Sequence, residues 1–158
     1  MTSRTELQTK VPSPPGMGSV FAGPLSGWLA ETYDPRVALV APAGAHLEVS
    51  AIGQTRLSDA PAVGNLKPRA DITISSAARV YGNRVLLVVL TGMGNDGELG
   101  ARDLRKAGGR ILTEDERTCV IYGMPRAIDV AGLSNRSVPL DAMPMAIVES
   151  IAAWGRGR

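Results

Sequence analysis

An unbroken apolar run, Val85 to Leu90, ends abruptly at Thr91-Gly-Met-Gly-Asn-Asp-Gly97. Continuous rather than alternating apolarity is what a strand needs when both its faces are covered, as in a parallel sheet flanked by helices. Glu98 to Lys106 then reads as a helix. Strand, glycine-rich turn and helix put the turn at the carboxyl end of a strand, where open α/β sheets hold ligands and reacting groups. Asp96 is expected at the start of that helix, where unpaired backbone N–H groups and the positive end of the dipole favour a carboxylate. The 92–97 turn is the candidate active site, or the remains of one.

The rest of the chain alternates in the same manner. Residues 1–18 are polar and close on Pro12-Ser-Pro-Pro-Gly-Met-Gly18, a flexible arm leading into a loop. Ser19 is placed to cap a helix carrying Val20, Phe21, Leu25, Trp28 and Leu29, which Pro24 and Gly27 weaken. Val37 to Ala41 predicts a short strand, and residues 47–50 and 55–58 an antiparallel hairpin. Asp71 is expected to cap a helix over 72–81 that Gly82 closes. Strands are then predicted at Arg110–Thr113 and Ser137–Leu140, with Cys119–Tyr122 a strand or an extended loop. Helices are predicted after Gly123-Met-Pro125 and over Ala142–Trp154. The alternation argues one α/β domain over residues 19–154, followed by a short tail at 155–158.

Charge and composition exclude several classes. A net charge of +2 comes from 17 basic residues dispersed among 15 acidic ones, without the clustered Lys/Arg and interleaved aromatics of a nucleic-acid binder. No stretch approaches the roughly 20 apolar residues of a membrane span, and the N-terminus lacks the apolar core of a signal peptide. The cytoplasm is the expected location. The single cysteine, Cys119, excludes an internal disulfide and a Cys-based metal site, and its apolar setting points to a buried, inert thiol. Neither cofactor nor metal is expected.

The central turn admits three readings. Gly92-x-Gly94-x-x-Gly97 fits the dinucleotide-binding pattern, with Glu114 and Asp115 about twenty residues further on. A pyrophosphate would then share the helix N-terminus with the Asp96 carboxylate, and Met93 and Asn95 add bulk where backbone must approach phosphate. Dinucleotide binding is the weaker alternative. Asp96 also suits the orienting carboxylate of a hydrolytic triad, or a plain helix cap. Spacing alone favours the cap.

A resemblance bears on that choice. Thr91-Gly-Met-Gly-Asn-Asp-Gly97, Lys106-Ala-Gly-Gly109 and Val120-Ile-Tyr-Gly-Met-Pro125 resemble the catalytic domain of the chemotaxis receptor methylesterase (CheB) family. Ala41-Pro-Ala-Gly-Ala-His46 and Ser75-Ser-Ala-Ala-Arg-Val-Tyr-Gly82 do so too, as does Pro14-Pro-Gly16 with Phe21-Ala22. The likeness covers about residues 12–150 and is most specific across 85–130. It implies a three-layer α/β fold, a mostly parallel sheet with helices on both faces. It implies hydrolysis of glutamyl methyl esters on chemoreceptors, and deamidation of receptor glutamines, by a Ser-His-Asp triad. Asp96 stands at the triad aspartate, and Met93 matches the neighbour whose backbone helps build the oxyanion site.

The chain departs from that pattern upstream. The family's Ser-Thr-Gly-Gly or Ser-Ala-Gly-Gly turn has no counterpart, and Pro12 falls where the histidine belongs. The first βαβ portion is expected to be missing. His46, the single histidine, matches a family position outside the triad and is the one candidate for a recruited base. The expected function is a non-catalytic, methylesterase-like module of a chemosensory system. It would bind a chemosensory protein or chemoreceptor through Thr91, Gly92, Met93, Gly94, Asp96, Tyr122, Gly123, Met124 and Pro125. The alternative is an active protein-glutamate methylesterase, using His46 or a serine and histidine from another polypeptide. Loss of the first strands also predicts self-association, or completion by another protein, at the exposed sheet edge.

Overall fold

A computed structural model describes residues 9–11, 20–22, 38–51 and 54–155. The chain divides into two compact units, residues 1–69 and 70–158.

In the first unit β1 (Thr9–Val11) pairs antiparallel with β2 (Val20–Ala22), and β2 pairs parallel with β3 (Ala38–Leu39). The Val20–Ala22 stretch, expected to open a helix, is a strand. A β-branched residue followed by an aromatic one prefers the pleated conformation, and Pro24 and Gly27 disfavour the helix that would have overridden that preference. Leu25, Trp28 and Leu29 of that expected helix lie outside the described residues. The predicted hairpin is present: β4 (His46–Val49) pairs antiparallel with β5 (Thr55–Ser58), and Leu47 faces Leu57.

The second unit is built on a parallel sheet in the order β6 (Leu86–Val89), β7 (Arg110–Glu114) and β8 (Arg136–Val138). Its helices are α1 (Ala70–Tyr81), α2 (Glu98–Lys106), α3 (Met124–Val130) and α4 (Met143–Gly155). The side chains of β6 and β7 separate by parity, as a pleated strand demands. Leu87, Val89 and Ile111 meet Ile74 and Ala78 of α1, Ala101 and Leu104 of α2, and Ile128 of α3. Leu86, Val88 and Leu112 face the other way, onto Val138 and onto Met143, Ala146 and Ile147 on α4. The apolar run of the sequence is unbroken because the two layers bury both sets. The unit is thus an α/β layered structure with a parallel sheet and helices on either face.

Two details fix the helices in place. Gly100 lets α2 approach α1: a Cβ there would lie 2.7 Å from Ile74 Cβ and 3.0 Å from the Asp71 carbonyl oxygen. On the opposite layer, Arg110 donates to the Ser150 carbonyl and its guanidinium sits 5.2 Å from the Trp154 ring centroid, tying α4 to the start of β7. No helix among the described residues is long and apolar enough to cross a membrane.

Candidate functional site

The turn after β6 is joined to the segment ahead of α3 mainly by backbone. Gly92 donates to the Ile121 carbonyl at 3.0 Å, and its own carbonyl accepts from Gly123 N–H at 3.0 Å and Met124 N–H at 2.8 Å. Thr91 Oγ1 accepts from Ile121 N–H at 2.8 Å and donates back to the Ile121 carbonyl at 3.2 Å. Such close approach requires glycine at position 123, where the neighbours are backbone atoms, whereas at Gly92 the neighbour is the flexible Met124 side chain. A Cβ on Gly123 would lie 2.5 Å from the Gly92 oxygen and 2.9 Å from Gly94 N, and one on Gly92 would lie 2.6 Å from Met124 Sδ. Gly94 and Gly97 also have φ of 85° and 93°, values that glycine alone adopts without strain. Below the turn, the buried Glu114 carboxylate accepts Thr91 N–H at 2.7 Å through Oε2.

Asp96 does cap a helix, but not the one it precedes. Its Oδ2 accepts from Ala70 N–H at 2.8 Å and its Oδ1 from Asp71 N–H at 3.1 Å, so it closes the amino end of α1. Asp71, expected to cap α1 itself, lies inside the first turn of that helix. Its Oδ1 accepts from Gly100 N–H at 2.9 Å, on the first turn of α2. Gly97, at the N-cap of α2, has no side chain to offer, so the acceptor comes from the neighbouring helix. Each helix is capped by a carboxylate that the other helix or its approach supplies. Asp71, rather than Asp96, occupies the amino end of α2 where the dinucleotide reading would put a pyrophosphate.

A second polar cluster holds the far side. Tyr122 Oη donates to Asp129 Oδ2 at 2.8 Å, Thr113 Oγ1 donates to Asp129 Oδ1 at 2.6 Å, and the Thr113 and Ser134 hydroxyls lie 2.9 Å apart. Burial, and then the hydrogen bond to Asp129, push the Tyr122 phenol up to about 12, so it stays a donor throughout the neutral range. On the adjoining loop, Arg117 hydrogen-bonds Asp115 and holds its carboxyl down to about 2. Cys119 is a partly buried free thiol whose pKa is raised, first by burial and then by the Glu114 charge.

The structure thus gathers Thr91, Gly92, Met93, Gly94, Asp96, Tyr122, Gly123, Met124 and Pro125 in the second unit, around two interlocked turns. Met93 projects outward with 82% of its surface exposed, whereas Pro125 is buried. His46 belongs to the first unit. It is fully buried, its Nδ1 accepts from Arg69 N–H at 3.2 Å, and its Nε2 lies 3.2 Å from the Pro61 carbonyl. With Nδ1 accepting, the ring is the neutral Nε2–H tautomer, and both nitrogens are committed to backbone. Among the described residues no cluster of His, Cys, Asp and Glu has the makings of a metal site. Sequence reasoning misses Asp129, and it misassigns Asp71 because that carboxylate acts on Gly100, remote in the chain.

Comparison with known proteins gives one consistent result. The family model described as CheB methylesterase matches residues 30–147. A protein-glutamate methylesterase/protein-glutamine glutaminase of Aliivibrio fischeri is 48% identical over 114 residues, covering 70% of this chain and 30% of that protein. A protein of the same name from Colwellia psychrerythraea is 42% identical over 127 residues, covering 77% and 33%. The crystal structure of the Thermotoga maritima CheB methylesterase catalytic domain is similar with a TM-score of 0.72 and 33% identity, covering 75% of this chain and 65% of that one. The chain spans about a third of the length of these curated relatives.

Proposed function

The chain belongs to the CheB methylesterase family, and we propose that it serves there as a non-catalytic module that binds a chemoreceptor or another chemosensory protein in the cytoplasm. One observation carries this reading. Asp96, at the position of the family's triad aspartate, caps α1, with each carboxylate oxygen accepting one backbone N–H of that helix. A triad aspartate acts through an imidazole that it orients and stabilises. The single histidine of this sequence has both ring nitrogens engaged with backbone in its own unit. Asp96 then serves as a structural acid, and without a base no serine hydroxyl gains nucleophilicity. The interlocked turns remain as a rigid platform from which Met93 projects, a form suited to contact with a protein surface.

The second reading is an active esterase and deamidase, with serine and histidine contributed by another polypeptide. It is favoured by relatives, up to 48% identical, that are named protein-glutamate methylesterase/protein-glutamine glutaminase. Methanol release from methylated chemoreceptor membranes incubated with the chain, alone and with soluble extract of the cells it comes from, decides between them. The proposal expects no release above the same mixture without the chain, together with co-sedimentation of the chain with those membranes. Release that disappears in Asp96→Ala would establish the enzyme.

A further inference from the structure

Beside the Asp96 turn, α2 and α3 diverge and leave a cleft of about 610 Å³. Gly94, Asn95 and Gly123 close its upper end, so the cleft is continuous with the interlocked turns. Ala127, Val130 and Ala131 form an apolar wall along α3, and Val130 is 78% exposed. An isolated valine presented so openly is ordinary, but Met93 at 82%, Val120 at 87% and Ile121 at 50% lie on the adjoining turns. Apolar surface gathered in this way and rimmed by polar groups marks a place where another protein sits.

The charges around the cleft select the kind of protein. Two arginines line it, Arg102 and Arg126. Arg102 is already neutralised, with Nε and Nη2 donating to Glu98 Oε1 at 3.2 and 2.7 Å. Arg126 is exposed on α3 and has no hydrogen bond or ion pair among the described residues. One uncompensated guanidinium thus stands over an apolar shelf. A guanidinium presents a planar fork that matches a carboxylate with two parallel hydrogen bonds.

We infer that the α2–α3 cleft is a docking groove for an acidic segment of the partner protein, whose carboxylate pairs with Arg126 while an adjacent apolar side chain rests on Ala127, Val130 and Ala131. The inference rests on the protein-binding role proposed above and names the chemistry of the partner. It requires neither the presence nor the absence of catalysis, so it can fail independently of that role.

The test uses a fluorescein-labelled peptide of glutamate, alanine and leucine, a counterpart with glutamine for glutamate, and one with lysine. Each is titrated with the full chain by fluorescence anisotropy. The glutamate peptide is expected to bind, and Arg126→Glu to weaken it by about tenfold or more, as loss and reversal of one charge contact predicts. The glutamine peptide should bind the wild type about as poorly. Arg126→Glu should in turn bind the lysine peptide better than the wild type does, a gain that a misfolded variant would not show. Val130→Asp should weaken the glutamate peptide without changing the preference for it over the glutamine one. Absence of binding, equal affinity for the glutamate and glutamine peptides, or indifference to Arg126→Glu would each overturn the groove. So would concentration-dependent self-association abolished by Arg126→Glu, because the occupant would then be a second copy. Co-sedimentation with receptor membranes that survives Arg126→Glu would leave the module reading standing and remove the groove from it.

Discussion

Asp71 and Asp96 exchange helix caps: Asp96 receives the first two N–H groups of α1, and Asp71 receives Gly100 N–H on α2. Both helix amino ends lie side by side, and each carboxylate answers the positive end of a dipole that is not its own. The arrangement also sets the 92–97 turn relative to α1, since the residue that caps α1 is part of that turn.

Removing either cap should cost stability. Asp96→Ala and Asp71→Ala are each expected to lower the unfolding free energy by about 1–2 kcal/mol, the usual range for a lost N-cap. Because the two act on one helix pair, the double variant should depart from additivity by about 0.5 kcal/mol or more. Urea unfolding of the four proteins checks this. Strict additivity would mean the caps act independently.

The glycines of the interlocked turns should differ in tolerance. Gly123→Ala places a Cβ 2.5 Å from the Gly92 oxygen and 2.9 Å from Gly94 N, backbone atoms that cannot move without breaking the link between the turns. Gly94→Ala meets nothing within 4 Å and bears only the strain of φ 85°. The expected losses are about 3 kcal/mol or more for the first and about 1–2 kcal/mol for the second. Denaturation midpoints would refute this by showing equal losses.

Tyr122 should ionise late. Its phenol is raised from 10.0 to about 12 by burial and by Asp129. Unfolded chain binds fewer protons than folded chain between those values, so stability falls with rising pH across that window. The contribution of this group is complete below pH 10 and lost by about pH 12. Ultraviolet titration of phenolate should show a late step that Tyr122→Phe removes; its persistence in the variant would assign the step elsewhere.

Cys119 should be a poor nucleophile at neutral pH. Burial and the Glu114 charge both favour its protonated form, and it is the thiolate that reacts. Reaction with a disulfide reagent at pH 7 should be slow in the folded chain and speed up in urea. Equal rates in both states would contradict the shielding.

What could be read from the sequence was whatever depends on neighbours in the chain. Val85–Leu90 announced a strand covered on both faces, and β6 does divide its side chains between two helical layers. The helix predicted over Glu98–Lys106 has those same limits, because its apolar and charged residues separate onto opposite faces at a period of 3.6. The failures share a cause. Asp71 reads as the cap of its own helix because a cap is normally local, whereas its carboxylate accepts Gly100 N–H across the interface. Asp129 carries no local signal, because Thr113 of β7 meets it only once α3 packs on the sheet. Val20–Ala22 reads as helix because a sequence pattern does not show which strands wait to pair with it.

The Gly92 carbonyl takes two N–H groups from the opposite turn, and no side chain takes part in that pair of bonds. A junction written mostly in main chain is largely indifferent to the lettering around it. Met93, Val120 and Ile121 can therefore be exchanged for residues of other character while the two turns keep their seating. A scaffold of this kind can change what it recognises over generations without rebuilding the frame that does the presenting.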